Sequence, residues 1–135
     1  MQRSPAPQLR QAPVAASNDA VTRIYFDHGS AVLSTDDVQK LAKVNRMANA
    51  KTISVEGYAS ERVTSAQSEI ERKQINLEVS MKRATAVAKN LIAGGVPASK
   101  IRTVAWGEEG ANKAIDGMSA EQSARRVDVI PFFNN

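Results

Sequence analysis

The order in which β-type and helical patterns follow one another is the feature that most limits how this chain can fold. Residues 21–27 are rich in β-branched and aromatic side chains, and residues 51–57 alternate polar and apolar side chains. Two further short β-type runs cover residues 101–106 and 126–130. Helical spacing separates the first three runs, so the order is strand, helix, strand, helix, strand, strand. This order predicts an α+β sandwich with two helices packed on one face of a mixed four-stranded sheet.

The two predicted helices have recognisable ends. Ser34 and Asp37 fit a capping pattern at the start of the first helix, and Gly94-Gly95 followed by Pro97 ends the second. Each helix carries a row of apolar residues spaced three and four apart, which we expect to face the sheet. These rows are Val38, Leu41, Val44, Met47 and Ala48 in the first helix, and Leu77, Met81, Ala84, Ala88 and Leu91 in the second.

The amino-terminal residues differ in composition from the rest of the chain. Residues 1–19 hold three of the five prolines and contain no acidic residue before Asp19. We expect them to form a flexible linker, followed by one domain over residues 20–135. No apolar run approaches the roughly 18 residues that span a bilayer. Membrane contact is therefore expected only through a lipid anchor or tether outside this sequence.

Composition argues against several classes of function. The chain has no cysteine and one histidine, His28, so thiol chemistry is excluded and neither a metal site nor a cofactor is expected. The net charge of +4 comes from interspersed basic and acidic residues, and only six aromatic residues are available for stacking. These features do not favour nucleic-acid binding. No nucleophile and base can be paired, so we expect a protein that is not an enzyme.

Four segments, in order and at nearly the expected spacing, resemble the OmpA-like peptidoglycan-binding family. They cover nearly everything from residue 21 to residue 130, and residues 76–84 are similar to the family pattern N-x-x-L-S-x-x-R-A. The segments are Ile24–Asp27 with Ser30–Leu33, Val55–Arg62, Asn76–Ala84, and Gly95–Glu109 with Ala124–Val129.

The resemblance implies a binding site for the diaminopimelate of the peptidoglycan stem peptide. In the family, an arginine meets the carboxylate of this zwitterion and an aspartate meets its ammonium. Arg83 stands at the arginine position, on one helical stripe with Asn76 and Ser80. Ser60 replaces the aspartate, and Tyr58 replaces the commonest residue, histidine.

The lost aspartate leaves the anion of the site open. Glu61 is one candidate for this anion, and Asp27 is another. Backbone groups near Phe26 and the side chain of Arg126, at the edge of the site, are expected to be further ligand contacts. A second departure is length, because residues 62–75 form a segment about eight residues longer than the family pattern predicts.

Two functions follow from the resemblance. One is a non-catalytic module that anchors a Gram-negative envelope protein to the peptidoglycan stem peptide. That protein is expected to be periplasmic and outer-membrane-associated, and to be a lipoprotein or part of an envelope complex with further protein partners. The other is a degenerate OmpA-like domain that serves as a structural subunit of an envelope-spanning machine, such as a secretion system, and binds no peptidoglycan. The loss of the aspartate and the added segment favour the second; Arg83 and Asn76 at their motif positions favour the first.

Overall fold

Four strands form one sheet in the computed structural model, which describes residues 21–44, 50–60, 68–110 and 117–133. Along the chain the elements are β1 (Thr22–Tyr25), α1 (Thr35–Val44), β2 (Thr52–Tyr58), α2 (Glu69–Ala93), β3 (Ile101–Gly107), α3 (Ala120–Ser123) and β4 (Arg126–Phe132). The sheet order is β1-β4-β2-β3. β4 is antiparallel to both β1 and β2, whereas β2 and β3 are parallel. The predicted mixed sheet with α1 and α2 is confirmed; the short α3 was not predicted.

The core lies between the sheet and the two long helices. Ile53 and Val55 of β2 and Val127 and Val129 of β4 are buried on the helix-facing side of the sheet, as strand alternation requires. The helices supply the other half of the core, chiefly through Leu41, Val44, Ala84, Val87 and Leu91. α1 begins with a reciprocal cap, because the Asp37 amide donates to Ser34 Oγ and the Ser34 amide donates to the Asp37 carboxylate.

The inner face of α2 differs from the apolar row that was predicted. Leu77 and Met81 are 47% and 44% exposed, so their prediction as core residues was wrong. The fully buried residues at this level are instead Asn76, Ser80 and Arg83. Polar groups can occupy this face because each has hydrogen-bond partners inside the protein, which offsets the cost of leaving water. Val38 of α1 is likewise 42% exposed rather than core, and the predicted Met47 and Ala48 lie outside the described residues.

Close contact between α2 and the sheet depends on a glycine. A Cβ atom on Gly57 of β2 would collide with the Ser80 carbonyl oxygen and lie 3.2 Å from the Ala84 Cβ. Ser80 Oγ also accepts a hydrogen bond of 3.0 Å from the Gly107 amide at the end of β3. The motif serine therefore joins α2 to the end of the sheet at which β1, β2 and β3 all finish.

Candidate functional site

Arg83 lies at the carboxyl ends of β1 and β2 and is fully buried. Its Nε donates to the Ser30 carbonyl oxygen at 2.8 Å, its Nη2 to the Asp27 carbonyl oxygen at 3.1 Å and its Nη1 to the Tyr58 carbonyl oxygen at 3.3 Å. The guanidinium carbon also lies 5.4 Å from the centre of the Phe26 ring. One side chain of α2 thus joins the loop after β1 to the end of β2.

The surface around this arginine is called here the strand-end site, and it consists of residues 26–30 and 58–60. Phe26 is buried against Arg83, Asp27 is exposed, and Ser60 is partly exposed. The strand-end site therefore combines a buried positive charge, that of Arg83, with an exposed acidic residue, Asp27.

Asn76 lies at the opposite end of the buried polar stripe of α2 from Arg83. Its side-chain amide donates to Glu108 Oε2 at 2.6 Å, and the guanidinium of Arg72 contacts both oxygens of Glu108, at 2.8 and 3.1 Å. Hydrogen bonding from Arg72 lowers the pKa of Glu108, with Asn76 adding to the effect. This cluster of Arg72, Asn76 and Glu108 fastens the start of α2 to the turn after β3.

Tyr58 turns its side chain away from Arg83. Its carbonyl oxygen accepts from Arg83, whereas its ring lies under the guanidinium of Arg126, with 4.0 Å between the Arg126 Cζ and the ring centre. The alternation of β2 explains this, because Gly57 faces the helices and its neighbour must face the other side. Burial raises the pKa of the Tyr58 hydroxyl to about 12, with help from the negative charges of Asp128 and Glu56.

Arg126 belongs to this second face of the sheet. It is buried, and it donates from Nε to Asp128 Oδ1 at 3.0 Å and from Nη1 to the Ser123 carbonyl oxygen at 2.7 Å. Burial raises the pKa of the Asp128 carboxyl, and Arg126 opposes that rise. Arg126 therefore holds α3 and Tyr58 against the sheet, rather than reaching the strand-end site.

The structure brings together some of the predicted site residues and separates others. Arg83 contacts the Phe26 ring and the carbonyl oxygens of Asp27 and Tyr58, and Ser60 lies two residues after Tyr58 in the same segment. Asn76 lies at Glu108, and the side chains of Tyr58 and Arg126 lie on the far face of the sheet. Glu61 lies outside the described residues. The segment predicted as an insertion is described only from Ser68, where it forms the capped first turns of α2.

Two contributors to these clusters were not assigned from the sequence. Ser30 acts through its carbonyl oxygen, which no sequence pattern reveals. Glu108 follows the Trp106-Gly107 turn, and its position after a strand end was the one available signal. Trp106 is 37% exposed and donates from Nε1 to Glu56 at 2.9 Å, so it packs beside the sheet. In the described part of the chain, no group of three metal-ligating side chains is assembled.

Comparison with known proteins places these features in a family. The OmpA family matches residues 25–126. The peptidoglycan-associated lipoprotein of Agrobacterium fabrum is 34% identical over 113 residues, covering 80% of this chain and 59% of the relative. That of Brucella melitensis is 30% identical over 112 residues, covering 80% and 62%. The chain thus spans about three-fifths of the length of these curated relatives.

Solved structures with low sequence identity share the fold. The OmpA-like domain of FopA1 from Francisella tularensis has a TM-score of 0.65 at 24% identity, covering 85% of this chain and 75% of that one. The peptidoglycan-associated lipoprotein of Burkholderia pseudomallei gives 0.66 at 23%, covering 81% and 88%. The carboxy-terminal domain of Helicobacter pylori MotB gives 0.67 at 17%, covering 84% and 87%.

The family match decides between the broad classes of function. The OmpA family is not an enzymatic one, which confirms the prediction that this chain is not an enzyme. Among the described helices, none is long and apolar enough to cross a bilayer. The family match covers most of the domain, and the sheet order and the buried Arg83 agree with it. The chain therefore belongs to the OmpA family.

Proposed function

We propose that this chain is a non-covalent anchoring module that binds the stem peptide of peptidoglycan at the strand-end site. The observation that carries the proposal is the position of Arg83, which stands at the family's ligand-binding position and joins residues 26–30 to residues 58–60. The names of the relatives from Agrobacterium and Brucella support the same ligand. The same relatives support a periplasmic location close to the outer membrane, and protein partners in an envelope complex remain part of the proposal.

The ligand proposed is the free zwitterionic end of diaminopimelate. Its carboxylate would approach the positive charge of Arg83, and its ammonium would pair with the exposed carboxylate of Asp27, assisted by the Ser60 hydroxyl. Glu61 stays a candidate second anion. Because Arg83 already donates to three carbonyl oxygens, its main contribution is to hold both walls of the site in place and to supply a fixed positive potential.

Loss of the family aspartate predicts weak binding that can be strengthened. A charge pair at a partly buried site contributes about 2 kcal/mol, or roughly thirtyfold in affinity. We expect Ser60→Asp to tighten binding of a soluble diaminopimelate-containing muropeptide by about that factor, measured by calorimetric titration. Ser99→Asp, which adds the same charge on the exposed turn before β3, is the matched control and should leave the affinity unchanged.

Removal of the Asp27 carboxylate tests whether this residue pairs with the ammonium of the ligand. Asp27→Asn should weaken muropeptide binding about tenfold or more, whereas Asp36→Asn in the exposed first turn of α1 should not. Pelleting with purified sacculi repeats the test on the polymer. If neither the parent chain nor Ser60→Asp binds the muropeptide or the sacculi, the proposed anchoring function is wrong.

The second candidate is a structural subunit of an envelope assembly. It is favoured by the complete burial of Arg83, whose guanidinium is engaged by main-chain oxygens of the fold itself, and by Ser60 in place of the family anion. On this hypothesis Ser60→Asp gives no gain in muropeptide binding. Affinity capture from cross-linked cells would then recover envelope proteins equally well with the parent chain and with Asp27→Asn.

A further inference from the structure

We propose that two copies of this chain associate through their α2 helices, packed antiparallel along a row of exposed apolar side chains. The row is defined by Ile70, Leu77, Met81 and Ile92, which are 78%, 47%, 44% and 44% exposed. These four are the exposed large apolar residues of α2, and their spacing of seven, four and eleven residues places them along one side of the helix. The proposal does not depend on the ligand of the strand-end site.

The row lies on the flank of α2 that faces β3, which is an edge strand among the described strands. α2 packs over β2 and β3, and α1 lies towards β1 at the other edge. A Cβ atom on Gly107, at the end of edge strand β3, would lie 3.3 Å from the Leu77 Cα, so the Leu77 side of α2 is the β3 side. Nothing in the described part of the chain covers this flank, and a second helix can approach it.

Charge along α2 favours a second copy in the opposite direction. Beside the apolar row, Glu71 and Glu78 lie in the first half of the helix, and Lys82 and Lys89 lie in the second half; all four are exposed. An antiparallel neighbour brings the acidic half of each helix against the basic half of the other. A parallel neighbour would set like charges at the same level, with no such gain.

One register satisfies the apolar and the charged residues together. When the twofold axis passes near Ser80, Leu77 lies opposite Met81 of the second copy and Ile70 lies opposite Ile92. The same axis sets Glu78 opposite Lys82 and Glu71 opposite Lys89. Because the row is complementary to itself in this register, the chemistry selects the same chain as the partner, with a closed twofold interface.

The first experiment measures association of the whole chain by sedimentation velocity from about 1 µM to about 1 mM. We expect the parent to pass from monomer to dimer. Leu77→Glu combined with Met81→Glu should remain monomeric, as should Leu77→Lys combined with Met81→Lys, and an equimolar mixture of the two should regain a dimer. The matched control makes the same acidic and basic changes at Val32 and Val38, which are exposed but lie off the row, and should associate like the parent.

The second experiment tests the direction of packing. Since the chain has no cysteine, Ile70→Cys and Ile92→Cys each introduce a single thiol. Under mild oxidation, a mixture of the two variants should give mainly the mixed cross-linked dimer, and each variant alone should cross-link at least fivefold less. Three results would each overturn the proposal. They are a parent chain that stays monomeric at every concentration, an acidic variant that associates as the parent does, and a cysteine variant that cross-links with itself as much as with the other variant.

Discussion

Arg83 and Ser30, 53 residues apart in sequence, are joined by a hydrogen bond of 2.8 Å from the arginine Nε to the serine carbonyl oxygen. With the bonds to Asp27 and Tyr58, it makes a charged side chain part of the main-chain hydrogen bonding of the fold. The arginine proposed to face the ligand therefore also holds together residues 26–30 and 58–60. Its substitution therefore affects stability before it affects binding.

Arg83→Ala is expected to destabilise the domain strongly. It removes donors from three carbonyl oxygens and leaves a cavity beside Phe26, at a cost of about 4 kcal/mol. Chemical denaturation followed by circular dichroism measures this loss. Lys82→Ala, the exposed neighbour on the same helix, should change the free energy of unfolding by less than about 0.5 kcal/mol. A similar small change for both variants would contradict the role assigned to Arg83.

Gly57→Ala is expected to separate α2 from the sheet locally. The added methyl group would collide with the Ser80 carbonyl oxygen, which belongs to the helix backbone and cannot rotate away. We expect a loss of about 3 kcal/mol in the free energy of unfolding. Gly94→Ala provides the control, since Gly94 has a right-handed φ of −84° at the end of α2. Equal stability of the Gly57 variant and the parent would show that the helix can move outward at no cost.

Tyr58 is expected to make stability depend on pH in the alkaline range. Its pKa is about 12 in the folded protein and about 10 in the unfolded chain. A raised pKa means that the contribution is fully present below pH 10 and is lost as the pH rises towards 12. Tyr58→Phe should remove this part of the pH dependence. In the Tyr25→Phe variant, whose remaining tyrosine is Tyr58, the phenolate absorbance should appear about two pH units above that of the unfolded chain. Titration near pH 10 in that variant would show that the ring is solvated.

The cluster of Arg72, Asn76 and Glu108 is expected to control the order of the first turns of α2. Glu108 has a lowered pKa, so its contribution is present above its ordinary carboxyl pKa and is lost as the pH falls through the lower folded value. Glu108→Gln should increase amide hydrogen exchange in residues 69–75 and leave the second half of α2 protected. Glu69→Gln removes the exposed pair with Lys73 on the same helix but keeps the hydrogen bonds of the cluster to Glu108, so it is the control. Unchanged exchange in the Glu108 variant would mean that these turns are stable by themselves.

The sequence was sufficient to predict the four strands and the two long helices, but not α3 or the inner face of α2. Hydrophobic periodicity placed Leu77 and Met81 against the sheet, whereas that face holds Asn76 and Ser80. The reason is the close approach of α2 to Gly57, which leaves room there for small or internally hydrogen-bonded groups. An apolar row and a polar stripe lie side by side on this helix, and periodicity alone cannot say which one is buried.

The candidate site could be located from motifs but not assembled from them. The alternation of β2 does imply that Tyr58 points away from the helices, because Gly57 points towards them. By contrast, the acceptors of Arg83 are carbonyl oxygens of the loop after β1, and their directions depend on the loop conformation. Residue identity carries no information about such contacts, so the arginine was assigned to the ligand alone.

The place of β4 in the sheet has a consequence for how the chain folds. This strand is the last in sequence, yet it lies between β1 and β2, and it is the sheet neighbour of β1. β1 can therefore pair in the sheet only after β4, about a hundred residues later, has formed. The contacts that complete the sheet thus join residues that are among the furthest apart in sequence. Such long-range closure makes folding slow relative to helical domains of this size. A chain that stops before Arg126 lacks β4, the strand that joins β1 to β2 and β3. The domain therefore becomes stable only after its carboxy-terminal strand has been synthesised and has paired with β1 and β2.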